Sequence, residues 1–358
     1  MKKTIFLTLL LSSSIFAEDL KLAEPNSIGK IYENHNGYLI SDKCDKNSYF
    51  SCDYAGSLYA SFTYWQAKED NLAFAAINDS IDDAIINSTS IYPDFDWAPG
   101  LKAGWSIGFK NGWDLGFDYI FYKNKTKTFA ECGLTSTNIR LIPLFKNDDW
   151  YMSNITFANS RWKLKFHTLD MPLGYLFSVS KNLDLRIHGG LKGASIYQDN
   201  EIIYLSRLKD ERAEVKMKND AYGIGLCAGV DSKWKLTKYW NFYANLAAAI
   251  INFKFKLLYN VFTEDYLPDS YYNLTHKFWT FKPLIASDLG VSWNKSFGEK
   301  QNRYVTFKAA YDIQYFMEQN MLWRLTTRRS YIAPKAQGFF SKGDLILHGI
   351  NITLLFDF

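Results

Sequence analysis

The sequence predicts an all-β protein: a transmembrane up-and-down antiparallel β-barrel of about ten strands, eight to twelve being compatible, with long extracellular loops and short periplasmic turns. Three observations carry this. Large apolar side chains recur at every second residue over stretch after stretch, the mark of strands with one apolar and one polar face. The connections between these stretches alternate long and short along the chain, the asymmetry of an outer-membrane barrel. Of the 358 residues, 17% are aromatic, with 24 Tyr, 27 Phe and 11 Trp, which suits aromatic girdles at two membrane interfaces.

Taken in order, the chain opens on Met1-Lys2-Lys3, a short apolar run to Phe16 and Ala17-Glu18-Asp19. A basic start, an apolar core and a small residue before a polar break predict a secretory signal over residues 1–17, cleaved after Ala17. Residues 18–56 are polar and weakly periodic and are expected to form a periplasmic arm, leaving 57–358 for the barrel. Within that arm Cys44 and Cys52 are candidates for a disulfide in an oxidising periplasm. Cys132 and Cys227 receive no assignment.

The first strand is expected over residues 57–67, where Leu58, Ala60, Phe62 and Tyr64 alternate with Tyr59, Ser61, Thr63 and Trp65. Residues 68–98 read as a long segment, with a short helix over 71–87. A hairpin follows. Leu101, Ala103, Trp105, Ile107 and Phe109 share one face, Lys110-Asn111-Gly112 turns the chain, and Trp113, Leu115, Phe117, Tyr119 and Phe121 return. Their apolar face is assigned to lipid, since Lys or Asp in hydrocarbon costs about 2–4 kcal/mol at the midplane. Residues 123–160 read as a loop. Beyond it, Trp162, Leu164 and Phe166 alternate with Lys163, Lys165 and His167. The apolar phase then shifts by one to Leu169, Met171, Leu173, Tyr175 and Phe177, which a β-bulge would explain.

Leu183, Leu185, Ile187 and Leu191 continue after a short turn, residues 198–219 read as a charged loop, and Tyr222 to Trp234 alternate again. From Phe242 to Ile250 a further strand runs into a second phase shift at Phe253 and Phe255, and residues 259–275 read as a loop. Strands around Ile285–Trp293 and Val305–Tyr315 flank a short turn, and residues 317–342 read as the last long loop. The closing strand ends the chain with Ile350, Ile352, Leu354 and Phe356 facing lipid and Phe358 at the periplasmic rim, the five together the pattern expected of a signal for the barrel-assembly machinery; Asn351, Thr353 and Leu355 face inward.

Chemistry-bearing motifs are sparse. Gly104-Trp105-Ser106-Ile107-Gly108 fits the serine-hydrolase spacing, but it lies inside a strand instead of at a strand-to-helix elbow. The five histidines are scattered without metal-ligand spacing, so neither a metal nor another cofactor is expected. The formal charge of +4, or +2 once Lys2 and Lys3 leave with the signal, gives no ground for nucleic acid. The informative residues are those on the polar faces of the strands. Lys102, Asp114, Asp118, Arg186, His188, Lys192, Asp231, Asp288, Lys308, Asp312 and Gln314 are the candidate pore lining. Lys163, Lys165, Lys233, Lys282, Asp170 and Asp184 belong to the same reading, and the abundant inner glycines argue for open volume.

Residues 59–68 (Tyr-Ala-Ser-Phe-Thr-Tyr-Trp-Gln-Ala-Lys), Gly112-Trp113-Asp114-Leu115, Ile187-His188-Gly189-Gly190-Leu191-Lys192 and Tyr222-Gly223-Ile224-Gly225 resemble the Legionella-type major outer-membrane proteins. The resemblance implies a pore-forming outer-membrane role and supplies no catalytic residues. The expectation is a non-enzymatic channel for passive diffusion of small hydrophilic solutes or ions. The alternatives are a non-conducting structural or adhesive barrel and, behind it, a barrel enzyme. The expected partners are outer-membrane lipid, the assembly machinery and the solutes themselves, and the fold is compatible with homo-oligomers.

Overall fold

The computed structural model describes residues 54–78, 88–109, 112–132, 140–145, 155–206, 211–264, 270–297, 303–328 and 335–358. The expected signal, Cys44, Cys52 and the arm up to residue 53 lie outside the described residues. Residues 54–56, expected in the arm, instead begin the first strand.

Ten strands close the barrel. In chain order the strands are β1 (Tyr54–Glu69), β2 (Ala75–Asn78), β3 (Ser88–Ile91), β4 (Trp97–Phe109), β5 (Trp113–Glu131), β6 (Arg140–Pro143) and β7 (Phe157–Ser180). They continue as β8 (Leu183–Ser206), β9 (Glu211–Lys235), β10 (Trp240–Glu264), β11 (Ser270–Phe297), β12 (Arg303–Arg328) and β13 (Lys335–Asp357). The ring runs β1-β13-β12-β11-β10-β9-β8-β7-β5-β4, every pair antiparallel, and β4 returns to β1. The remaining three strands form a small sheet in the order β3-β2-β6. At the closing seam the amide of Gly56 donates to the carbonyl of Phe358 and that of Phe358 to the carbonyl of Gly56, both at 2.9 Å. Gly112 takes a φ of 85° in the first hairpin turn, which a side chain would resist.

The strands are far longer than a membrane needs. A 25-residue strand such as β9 or β10, rising ~3.4 Å per residue at a tilt of ~45°, climbs roughly 60 Å, about twice the hydrocarbon layer. Half of each long strand therefore stands in water, and the side chains follow. On β10, Trp240, Leu246 and Ile250 are exposed on the outside, whereas further along Ile251, Phe253, Phe255 and Leu257 are buried inside. On β7, Trp162, Leu164 and Phe166 are buried inside and Leu169, Met171 and Leu173 are exposed outside.

This corrects the expected bulges. The ladder of β7 with β8 stays in register from Phe157–Leu205 to Ser178–Asp184, and β10 stays in register with both neighbours throughout. The apolar phase changes because the surroundings change. Outside the barrel, lipid gives way to water; inside, a polar lumen gives way to an apolar core. Lys163 and Lys165, expected in the lumen, consequently point outward above the lipid. A real irregularity lies elsewhere, between Phe316 and Asn320 on β12, where Glu318 has a φ of 51°.

Several expected loops are strand for the same reason. Residues 123–131, 198–206, 211–219 and 317–328 continue the barrel upward, and the upper connections at 207–210, 265–269 and 329–334 are short. The expected helix over 71–87 is also corrected: Ala75–Asn78 is a strand between β3 and β6, and residues 79–87 lie outside the described residues. That small sheet buries Leu72, Phe74, Ala75, Leu141 and Phe145. Tyr204 of β8 ties it to the barrel, donating its hydroxyl proton to the carbonyl of Phe74 and accepting from the amide of Phe145.

Candidate functional site in the barrel lumen

All eleven candidate pore-lining residues occupy inward positions of the barrel, and most of them are joined to one another. The period-two alternation places them there; closure of the ring decides whom they meet. Arg186 on β8 reaches across β7 to Asp114 on β5. Its Nε lies 2.8 Å from Oδ2 and its Nη2 2.5 Å from Oδ1, a two-pronged clamp. Its Nη1 donates to Asp231 on β9 at 2.7 Å, and His188 Nε2 lies 3.5 Å from the other oxygen of Asp231. Lys192 pairs with Asp170 at 2.5 Å. Lys102 on β4 spans β1 and β13 to pair with Asp312 on β12, its ammonium 5.0 Å from the Trp65 ring, and Gln314 donates to Asp312 at 3.3 Å. Tyr59 crosses β4 to donate to Asp118 at 2.6 Å. Lys308 sits 5.5 Å from the Tyr243 ring, and Asp288 lies directly opposite Asp312 in the ladder.

The inner glycines serve these crossings. A Cβ on Gly174 would come within 2.4 Å of the Arg186 guanidinium, one on Gly104 within 2.5 Å of Asp118 Oδ1, and one on Gly229 within 2.5 Å of His188. The expectation that inner glycines leave open volume is therefore corrected: at these positions their missing side chains are replaced by a polar group from another strand.

Above this polar storey the lumen is apolar. Phe166 on β7 and Phe316 on β12 belong to strands on opposite sides of the ring. Their rings meet edge to face at 5.5 Å, spanning the full width. Trp65, Tyr122, Phe253 and Phe255 are fully buried in the same layer. A thread of polar side chains crosses it. Gln198 donates to Glu69, and Asn219 donates to Gln198 at 2.8 Å and to the carbonyl of Gln319 at 3.1 Å. Burial holds the Glu69 carboxyl well above the usual carboxylate range, the charge of Asp70 adds to this, and the bond from Gln198 opposes it. Among the described residues, Glu69 Oε1, Asn219 Oδ1 and both polar atoms of the Gln319 side chain lack partners.

This apolar storey is what sequence reasoning missed. The signal was present in the two phase shifts, each lying farther along its strand than the roughly 9–11 residues a membrane crossing takes. Among the described residues no group of His, Cys, Asp and Glu is arranged to hold a metal ion, and Cys227 is a free thiol.

A closed ten-stranded antiparallel ring, apolar toward lipid and charged within, defines an outer-membrane β-barrel. The chain belongs to the Legionella pneumophila major outer membrane protein family, whose model, described as that protein's precursor, matches residues 54–358. The match begins where β1 begins. No curated protein matches the chain. Among solved structures, the outer membrane protease OmpT from Escherichia coli is similar at 9% identity, with 87% of this chain and 99% of that chain covered and a TM-score of 0.37. The Pseudomonas putida toluene transporter TodX follows at 6% identity, 85% and 89% coverage and a TM-score of 0.28. A Pseudomonas aeruginosa FadL homologue has 6% identity, 86% and 90% coverage and a TM-score of 0.24. Likeness at that level carries no functional implication.

Proposed function

We propose that the protein is a narrow, gated outer-membrane channel for small hydrophilic solutes or ions, shut in this conformation by its outer storey, and that it performs no catalytic step. One observation carries the reading: the same ten strands line their lumen with charge inside the membrane and with aromatic and aliphatic side chains above it. Buried ion pairs are often no more stabilising than apolar residues of the same volume. The upper storey demonstrates that this ring can be filled with Phe, Trp and Ile. Stability alone therefore does not call for charge in the lower storey, whereas a wet passage does. The door is then the Phe166–Phe316 layer and the small sheet over it.

A second reading, a non-conducting surface barrel, draws on the chords that Arg186–Asp114 and Lys102–Asp312 make across the lumen. Recordings of the folded barrel in planar bilayers separate the two. The channel reading expects brief, small openings whose ion preference moves toward cations in Lys192→Gln. A folded barrel silent at every voltage and pH favours the second reading, and a large steady wild-type current would overturn the shut outer storey.

A further inference from the structure

The outer face of the barrel carries a charge pattern that neither the lumen nor the fold accounts for. Along β5 the lipid-facing row ends at Phe121 and continues upward as Lys123, Lys125 and Lys127; along β7 the row above Leu169 is His167, Lys165, Lys163 and Arg161. The ladder sets Lys123 opposite Lys165, Lys125 opposite Lys163 and Lys127 opposite Arg161. Like charges directly opposed across an antiparallel pair are destabilising, and here three pairs follow one another. Carboxylates answer only part of this. Glu201 lies 3.3 Å from Arg161 and Asp199 3.8 Å from Lys163. Among the described residues Lys123, Lys125, Lys127 and Lys165 make no ion pair.

Beside these lysines is a cleft of about 600 Å³, lined by Tyr64, Asp96, Trp97, Ala98, Lys123, Asn124 and Lys125. It exists because β4 begins only at Trp97. Above that level β5 has no ladder partner on this side, and residues 92–96 run along it instead, held by Asn124 donating to the carbonyl of Asp96 at 2.7 Å. Tyr64 and Trp97, both exposed toward lipid, stack at 5.6 Å and form the cleft's aromatic edge. The result is amphipathic. Aromatic rings at the top of the lipid band adjoin unpaired ammonium groups, the depth at which snorkelling lysines meet headgroups. The opposite side of the barrel repeats this boundary, where the Lys254 ammonium stands 5.5 Å from the Trp279 ring and 5.9 Å from that of Tyr222.

We propose that the outward face of β5 and β7, with the Lys123–Lys125 cleft, binds the phosphate-bearing headgroup of an outer-leaflet glycolipid. The lysines continue the lipid-facing rows themselves, so a membrane lipid reaches them without leaving the bilayer. Phosphate oxygens between the strands would remove the repulsion that the ladder imposes. The patch lies on the half of the barrel away from the seam of Gly56 and Phe358 and from the short turns, which is the outer side. The inference is independent of whether the lumen conducts.

The test is native mass spectrometry of the full-length, detergent-released barrel with diphosphorylated lipid A, with lipid A stripped of its phosphates, and with inorganic phosphate as competitor. Wild-type protein is expected to retain diphosphorylated lipid A roughly tenfold better than the stripped form, the worth of one or two charge-assisted contacts. The double variant Lys123→Gln/Lys125→Gln should lose that preference, while Lys216→Gln/Lys218→Gln, which removes the same charge from β9, should keep it. If the double variant does not assemble, Lys125→Gln alone is expected to weaken the preference. Equal retention of both lipids, equal loss in both double variants, or displacement of bound lipid by free phosphate would each overturn the proposal, the last assigning the patch to soluble anions.

Discussion

Replacing Phe316 by alanine tests whether the aromatic layer is the barrier. Phe316 is fully buried and meets Phe166 edge to face at 5.5 Å from the opposite wall. Truncating a buried Phe to Ala costs about 3–5 kcal/mol in lost transfer energy and residual cavity. About 0.5–1.5 kcal/mol of that belongs to the ring pair and should vanish when Phe166 is already alanine. The vacated volume exceeds the ~30 Å³ share of a water molecule. Purely apolar cavities stay dry, but this layer also holds unpartnered polar atoms on Glu69, Asn219 and Gln319 that water can satisfy. The variant should therefore unfold at lower urea and pass a steady current in planar bilayers where the wild type opens rarely. Phe281→Ala removes the same ring from the lipid face, where Phe281 is 67% exposed, and should leave the current unchanged. A Phe316 variant destabilised as expected but no leakier than wild type would refute the assignment of the gate, as would an equal rise in Phe281→Ala.

The remaining predictions concern charge, space and the seam. Because the folded-state pKa of Glu69 is raised, the neutral carboxyl is the form the fold favours. Its contribution is fully present below the ordinary carboxylate range and is lost as pH rises through the raised value. Glu69→Gln should raise the urea midpoint at ~pH 7 and flatten the slope between ~pH 4 and ~pH 7; an unaltered slope removes Glu69 from the account. Gly104→Val should cost about 1–3 kcal/mol and break the Tyr59–Asp118 bond, since its Cβ would fall 2.6 Å from the Tyr59 ring; wild-type heat stability would contradict the packing described. Deleting Phe358 removes both seam hydrogen bonds to Gly56 and should lower the amount of barrel in the outer membrane on immunoblots more than the melting point of what assembles. Normal membrane levels would show that the terminal residue matters little.

Most of the barrel was legible in the sequence, and the failures share one cause. Leu101 to Phe109 and Trp113 to Phe121 read correctly because within the membrane the apolar face has only one place to go. Residues 123–131 read as a loop because Lys123, Lys125 and Lys127 looked too polar for a lipid-facing strand, although they belong to a strand standing in water. The same error carried Lys163 and Lys165 to the wrong side of the wall. Nothing local could announce Arg186 meeting Asp114 at a separation of 72 residues, or Lys102 meeting Asp312 at 210. Those contacts depend on ring closure, and the glycines that admit them resemble glycines that leave room.

Period-two alternation, strand spacing and short lower turns by themselves determined the architecture, the approximate strand number, the inward charges at membrane height and the lipid-facing residues Ile350, Ile352, Leu354 and Phe356 of the closing strand. Such local signals state which side chains share a face. Only the closed ring decided what each face meets, because the medium outside a strand depends on its height in the barrel and the medium inside depends on residues from the other nine strands. That is why the same alternation yields a charged lumen between lipid walls below and an aromatic core between watered walls above.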